Sequence, residues 1–172
     1  MLTPAVDAFI ALGANLGDPT GQILHAVEEL AGLPGTRVHA RSSLYRSRPV
    51  GGPEQPEYVN AVARLNTQLS PRKLLQHCLA IEARHGRLRT SKNAPRTLDL
   101  DLLLSDGLVM HESGLTLPHP RMHERGFVLQ PLAEIAPDAV IPGRGDVRRL
   151  LAAVDVSDLV RLSEPDRRVT AT

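Results

Sequence analysis

Pro95-Arg-Thr-Leu-Asp-Leu-Asp-Leu-Leu-Leu104 decides the reading of this chain. From Thr97 onward it has the alternation of a β-strand, in which successive side chains point to opposite faces. Leu98, Leu100, Leu102 and Leu104 fall on one face. Thr97, Asp99 and Asp101 fall on the other, with Leu103. The two carboxylates are two residues apart, roughly 6–7 Å along a strand. Two anions on so apolar a strand need either solvent or cations. A surface strand with both Asp in water is one reading. One or two Mg²⁺ ions held together with phosphate oxygens is the other.

Outward from this strand the elements alternate in type. Ala8–Leu12 reads as a buried strand, and Gly13-Ala-Asn-Leu-Gly17 as a turn without the form or the lysine of a phosphate-binding loop. Asp18-Pro19 starts a helix that carries Ile23, Leu24, Val27 and Leu30 and stops at Gly32–Gly35. Arg37–Arg48 has strand character, and 49–56, with three prolines and two glycines, is a loop. Tyr58–Leu69 is a strand, and Ser70-Pro71 opens a helix ending near His85-Gly86. A basic loop, Arg87–Arg96, leads into the Asp strand. Beyond it come a possible strand at Leu108–Met110, an irregular stretch at Leu117–Pro120, and helices at Phe127–Ile135 and Asp146–Val154. The βαββαβ order predicts an α+β, ferredoxin-like sandwich with added C-terminal elements. One domain over 1–162 and a frayed tail over 163–172 are expected.

Composition narrows the function classes. The chain has 172 residues, a net charge of +1 and 42% apolar residues, which fits a globular domain and not a bulk polyanion binder. A single cysteine, Cys78, excludes an intrachain disulfide framework and a Cys-rich metal site. No apolar run reaches membrane-span length, and the N-terminus lacks the basic region of a signal peptide. A cytoplasmic protein with no membrane partner is expected. The four aromatics are Phe9, Tyr45, Tyr58 and Phe127, so aliphatic side chains must build most of the core.

Arg87, Arg89, Arg96, Arg121 and Arg125 gather around the Asp strand in sequence. Alone they read as a solvated basic loop; beside two carboxylates they suit a polyphosphate with its metals. Eighteen of the twenty basic residues are Arg, the better side chain for bidentate phosphate contacts. His119 and His123 are four apart, but Pro118 and Pro120 break a helical metal pair. A structural histidine and a phosphate hydrogen bond both remain open for His119. Tyr58 and Asn60 share a strand face, where a ring stacks and an amide pairs with a flat heterocycle; core packing of Tyr58 is the simpler reading.

Taken together, these segments resemble the 6-hydroxymethyl-7,8-dihydropterin pyrophosphokinase family of folate biosynthesis. The resemblance runs from Phe9 to Gly145. It is carried by Ala11-Leu-Gly-Ala-Asn-Leu-Gly-Asp18, Gln55-Pro-Glu-Tyr-Val-Asn60, Ala94-Pro-Arg-Thr-Leu-Asp-Leu-Asp101, Leu117-Pro-His-Pro-Arg121 and Arg125-Gly-Phe127. It implies transfer of the β,γ-diphosphate of ATP to the pterin's hydroxymethyl oxygen, with release of AMP. Carried over by position, Asp99 and Asp101 resemble the ligands of two Mg²⁺ ions. Arg87 and Arg96 resemble the loop arginines that close on ATP and act in catalysis with the two aspartates. Glu82, Leu102, Thr116, His119 and Arg125 are placed in the ATP site. Ser47, Val50, Gly51, Tyr58, Asn60 and Phe127 are placed in the pterin site. The implied partners are ATP and 6-hydroxymethyl-7,8-dihydropterin, with no nucleic acid, and the implied state is a monomer. The chain departs from the family's commonest pattern at Thr90, Asn93-Ala94 and Gly114. An RNA-binding module and an inactive relative are the alternatives. Few aromatics and a near-neutral charge weigh against the first, and the intact Asp99, Asp101, Arg87 and Arg96 against the second.

Overall fold

Two capped helices pin the first half of the fold. Asp18 Oδ1 accepts the Gly21 N–H at 3.1 Å and Pro19 opens α1 (Pro19–Ala31). Ser70 Oγ accepts the Lys73 N–H at 3.3 Å and Pro71 opens α2 (Pro71–Arg84). Each cap satisfies an N–H that the first turn leaves without a helical partner. The apolar stripes, Ile23, Ala26 and Leu30 on α1 and Leu74, Cys78 and Ile81 on α2, are buried. Burial pushes the Cys78 thiol up to about 12, so it is a core group and not a nucleophile.

This computed structural model describes residues 3–48, 56–86 and 98–163. Among them the strands are β1 (Val6–Ala14), β2 (Thr36–Arg41), β3 (Tyr45–Ser47), β4 (Tyr58–Thr67), β5 (Asp99–Ser105), β6 (Met110–Glu112), β7 (Leu115–Leu117), β8 (Val140–Ile141), β9 (Gly145–Asp146) and β10 (Val160–Arg161). Two further helices are α3 (Gly126–Ile135) and α4 (Val147–Ala152). The main sheet runs β10-β3-β4-β1-β5, with β2 also on β4, and every pair is antiparallel. The fold is therefore mixed α and β, with an antiparallel sheet between two helical layers.

α1 and α2 cover one face, packed on Ala8, Ile10 and Leu12 of β1, Ala61, Ala63 and Leu65 of β4, and Leu100 and Leu102 of β5. α3 and α4 cover part of the other, where Val128, Leu129, Leu132 and Val147 meet Phe9, Val62, Leu103 and Leu104. The rest of that second face is open.

Several expectations are corrected. The strand expected over Arg37–Arg48 is two strands. Between them the Ser42 N–H donates to Val62 O and Ser42 Oγ accepts the Val62 N–H, both at 2.9 Å. Gly13 and Ala14 belong to β1 and not to the turn. Leu104 joins Leu103 on the second face. Phe9 pairs with Leu104 but Ile10 pairs with Leu102, so Leu103 is an extra residue in β5 and the alternation slips there. The strand expected at Leu108–Met110 is a hairpin, β6-β7, that includes Leu117 of the stretch read as irregular. The helix expected at Phe127–Ile135 forms with Pro131 buried past its first turn, where the missing N–H costs one helical hydrogen bond. α4 is shorter than the expected Asp146–Val154. The loop residues 49–55, the Arg87–Arg96 loop with Thr97, and tail residues 164–172 lie outside the described residues.

Candidate active site

Strand register builds the site. Tyr45 of β3 pairs with Asn60 of β4, Asn60 with Gly13 of β1, and Gly13 with Asp99 of β5. Laterally paired residues share a face, so these four stand in one row on the open face. The adjacent row is Val62, Ala11 and Asp101. With two strand spacings between them, the Asn60 and Asp99 backbones are about 10 Å apart. Asn60, Gly13 and Asp99 of this row form the floor of a cleft of about 650 Å³, while Tyr45 lies covered at its end. Ser47, Tyr58, Asn60, Asp99, Asp101, Arg125 and Phe127 all line it.

One end is shaped for a flat polar molecule. Asn60 Nδ2 donates to Ser47 Oγ at 2.7 Å, which fixes the amide and turns Oδ1 toward the floor. A Cβ on Gly13 would lie 3.4 Å from that Oδ1, so the glycine keeps the floor beside the amide clear. Tyr58 and Phe127 stand half-buried at the same cleft. Arg125 places its guanidinium 5.7 Å from the Phe127 ring centre.

The other end is charged. Asp99 and Asp101 face the cleft with Arg121 and Arg125. Burial, helped by Arg121, pushes the Arg125 guanidinium below its ordinary value, while Asp101 and Asp99 oppose the shift. Two partly exposed carboxylates in an open cleft are a hard-oxygen donor set for a divalent cation, and they fit one. His119 is half-buried nearby. Burial, then Arg125, pushes its ring down to about 4 against the pull of Asp99, so the ring is neutral at pH 7. Its Nδ1 accepts the Arg121 N–H at 3.1 Å. The ring proton is thereby placed on Nε2, as a donor.

Other expected site residues stand apart from the cleft. Glu82 of α2 is 3% exposed, and its Oε2 accepts the Leu100 N–H at 2.7 Å. β5 is the edge of the sheet, so this carboxylate occupies an outward N–H and holds the Asp strand in place. Leu102 is buried in the core under α1 and α2, and Thr116 sits on β7 opposite His111. Arg87, Arg89, Arg96, Val50 and Gly51 lie outside the described residues.

Sequence reading missed several groups. Gly13 reads as a turn residue in sequence, because a glycine that clears a floor looks like any other. Glu134 of α3 takes the Tyr45 hydroxyl at 2.6 Å, the Ser43 hydroxyl at 2.9 Å and the Ser43 N–H at 3.0 Å. Burial raises its carboxyl pKa, but these bonds outweigh burial and hold it below the ordinary value. Asp155, Asp158 and Leu159 form a further wall, and Asp158 Oδ2 accepts the Arg48 N–H at 3.3 Å. Gly126 allows that wall: a Cβ there would come within 2.8 Å of Val156 Cγ1 and 3.2 Å of Asp155 O.

The family model for 7,8-dihydro-6-hydroxymethylpterin-pyrophosphokinase (HPPK) matches residues 9–137. The chain belongs to this family. Among pyrophosphokinase relatives, the 2-amino-4-hydroxy-6-hydroxymethyldihydropteridine pyrophosphokinase of Methylorubrum extorquens is 46% identical over 155 residues, covering 90% of this chain and 98% of the relative. That of Haemophilus influenzae is 41% identical over 158 residues, covering 92% and 99%. Among solved structures, an HPPK-DHPS in complex with substrates superposes with a TM-score of 0.72 at 13% identity, covering 94% of this chain. Wild-type HPPK-DHPS of Plasmodium falciparum superposes with a TM-score of 0.68 at 13% identity, covering 87%. The chain spans 47% and 44% of those two longer chains. At such identity they speak for the fold alone.

Proposed function

We propose that this chain is an ATP-dependent diphosphotransferase of folate biosynthesis. It transfers the β,γ-diphosphate of ATP to the hydroxymethyl oxygen of 6-hydroxymethyl-7,8-dihydropterin. The carrying observation is the row Asn60–Gly13–Asp99, which sets a heterocycle-sized notch about two strands from a pair of carboxylates. Family membership supports the same reading. The strand order β3-β4-β1-β5, with the second strand of βαββαβ split into β2 and β3, supports a ferredoxin-like frame.

In this reading Tyr58 and Phe127 stack on the two faces of the pterin, and Asn60 Oδ1 accepts from its ring N–H groups. Ser47 fixes the Asn60 amide, and Val50 and Gly51 add backbone contacts. Asp99 and Asp101 hold two Mg²⁺ ions, which when bound offset the charge of the triphosphate. Arg125, Arg87 and Arg96 bind phosphate oxygens, and His119 donates from Nε2. Leu102 backs the Asp strand from the core and Thr116 stands on the β6-β7 hairpin away from the cleft, so neither is given a direct nucleotide contact, and Glu82 positions Asp99 and Asp101 through its bond to β5. The pterin oxygen attacks Pβ, the bond from Pβ to the oxygen bridging it to Pα breaks, and AMP leaves with that oxygen. The hydroxyl proton passes to solvent or to an aspartate. Catalysis is positioning and electrostatics, as for phosphoryl transfer in general.

The protein acts as a single-domain cytoplasmic monomer over 1–162, without nucleic acid. Among the described residues no helix is long and apolar enough to cross a membrane. An RNA-binding role is set aside, because the net charge is only +1, aromatics are few and the chain belongs to the pyrophosphokinase family. The test is incubation with ATP, Mg²⁺ and the hydroxymethyl-dihydropterin, with nucleotides resolved by chromatography. AMP and pterin diphosphate should form in equal amounts. ADP as the product, or no turnover, would overturn the proposal.

A further inference from the structure

On the helical side of the sheet, opposite the cleft, lies a second group of chemistry-bearing side chains. His25 and Glu29 are four residues apart on α1 and therefore project from the same side of the helix. His85, the C-cap of α2, reaches toward them. His25 Nδ1 is 3.8 Å from Glu29 Oε1, and His85 Nε2 is 2.5 Å from the same oxygen. The two imidazole rings are 5.3 Å apart, and one ligand atom from each of the three residues lies within 4.8 Å of the others.

We propose that His25, Glu29 and His85 form a transition-metal site of the zinc class, separate from the Mg²⁺-type carboxylates of the cleft. Hydrogen-bond accounting around His85 carries the argument. The His85 side chain is only 5% exposed, so its ring nitrogens depend on protein partners. Nδ1 meets Gln22 Oε1 and Nε2 meets Glu29 Oε1. Both atoms facing the ring are oxygens, and an imidazole with one N–H leaves one nitrogen facing an oxygen unless the Gln22 amide turns over or a cation, proton or metal, stands between them. With that proton on Nδ1 and donated to Gln22, the Nε2 lone pair faces a carboxylate. A cation between them satisfies both. A histidine that ligates through one nitrogen and donates from the other to an amide oxygen is the usual supporting geometry of a metal-bound imidazole.

The donor chemistry points the same way. Two imidazoles and one carboxylate, with room for water, match a three-ligand zinc site. Ligand atoms about 2.0 Å from a tetrahedral zinc sit about 3.3 Å from each other. The two histidine–carboxylate distances, 2.5 and 3.8 Å, bracket that value and each need change by less than an ångström, while the two histidine ligand atoms, within 4.8 Å of each other, need approach by at most about 1.5 Å. Exposure is graded from inside to outside: His85 5%, Glu29 17% and His25 65%. The buried pair is pre-set, and exposed His25 completes the site from the solvent side. Arg84 Nε holds Glu29 Oε2 at 3.1 Å, orienting the carboxylate with Oε1 inward. Its positive charge also lowers cation affinity.

The test is calorimetric titration of the full chain, freed of metal, with Zn²⁺ in excess Mg²⁺. The same titration is run on an Asp99→Ala/Asp101→Ala variant, so that the cleft carboxylates are not read by mistake. One Zn²⁺ per chain should bind in both. His25→Ala should weaken binding about tenfold or more, as should Gln22→Leu, which removes the second partner of His85. Because His25 is exposed, its variant should keep the melting temperature of the metal-free protein and its pyrophosphokinase rate. Co²⁺ in place of Zn²⁺ should give the visible absorption of a low-coordinate imidazole site, lost in His25→Ala. The proposal is overturned if no Zn²⁺ binds, which would make His85 the plain cationic partner of Glu29. It is equally overturned if His25→Ala and His85→Gln both bind as wild type, or if binding disappears with Asp99 and Asp101. None of these outcomes depends on whether pterin turnover is observed.

Discussion

Replacing Gly13 with alanine separates the stability of the fold from the use of the cleft. Gly13 sits in β1 between Asn60 and Asp99, in ordinary strand conformation, so alanine brings no backbone strain. Its new methyl would lie 3.4 Å from Asn60 Oδ1 and 4.0 Å from Val59 O, both ordinary contact distances. The protein therefore has room for the methyl, and removing a strand glycine should stabilise the fold by about 0.5–1 kcal/mol. A bound heterocycle has no such room, because the methyl occupies the floor where its edge must approach the amide. A displacement of about 1 Å at a reacting centre costs up to about 100-fold. Gly13→Ala is thus expected to lower kcat/KM for the pterin about 10- to 100-fold, or about 1.4–2.7 kcal/mol. KM for ATP should change little. The assay is AMP formation at varied pterin and at varied ATP, alongside a thermal melt. An unchanged pterin kcat/KM would refute the cleared-floor argument, and a markedly lower melting temperature would refute the packing argument.

Three further outcomes follow from the same geometry. Asp99→Ala and Asp101→Ala should each abolish turnover while leaving the circular dichroism spectrum and melt close to wild type; near-normal rates at ordinary Mg²⁺ would contradict the metal assignment. Glu82→Ala leaves the outward Leu100 N–H without its charged partner and should cost about 1.5–3 kcal/mol in denaturant unfolding; a change below about 0.5 kcal/mol would show that β5 does not depend on it. Glu134 makes stability depend on pH: its folded carboxyl is held below the ordinary 4.5, so its contribution is full above that value and is lost as pH falls through the folded pKa. Denaturant unfolding from pH 7 to pH 3 should show a steeper acid loss in wild type than in Glu134→Gln, and equal slopes would count against this role.

Much of this was legible in order along the chain. Asp18-Pro19 and Ser70-Pro71 announce helix starts because a cap and its first turn are local chemistry. Asp99 and Asp101 announce a charged strand face because side-chain alternation is local too. Leu104 escaped the same logic, since a bulge is set by how β5 meets β1 and not by β5 itself. The split of Arg37–Arg48 escaped it as well, because the break depends on Ser42 reaching Val62 across strands. Glu134 stood in plain view within Pro131-Leu-Ala-Glu-Ile-Ala-Pro137, but its partners, Ser43 and Tyr45, are about ninety residues away in sequence.

By itself, the sequence determined the element types, the two aspartates, the arginines beside them and the family resemblance, all of which rest on residue identity and short-range spacing. Tertiary structure alone decided that Tyr45, Asn60, Gly13 and Asp99 form one row, that Glu82 anchors an edge strand from beneath, and that Asp155, Asp158 and Leu159 wall the cleft. Only it placed His25, Glu29 and His85 together. The reason is physical. Spacing along a chain fixes which face a side chain takes, but which strands lie side by side is settled by burying both faces of the sheet at once.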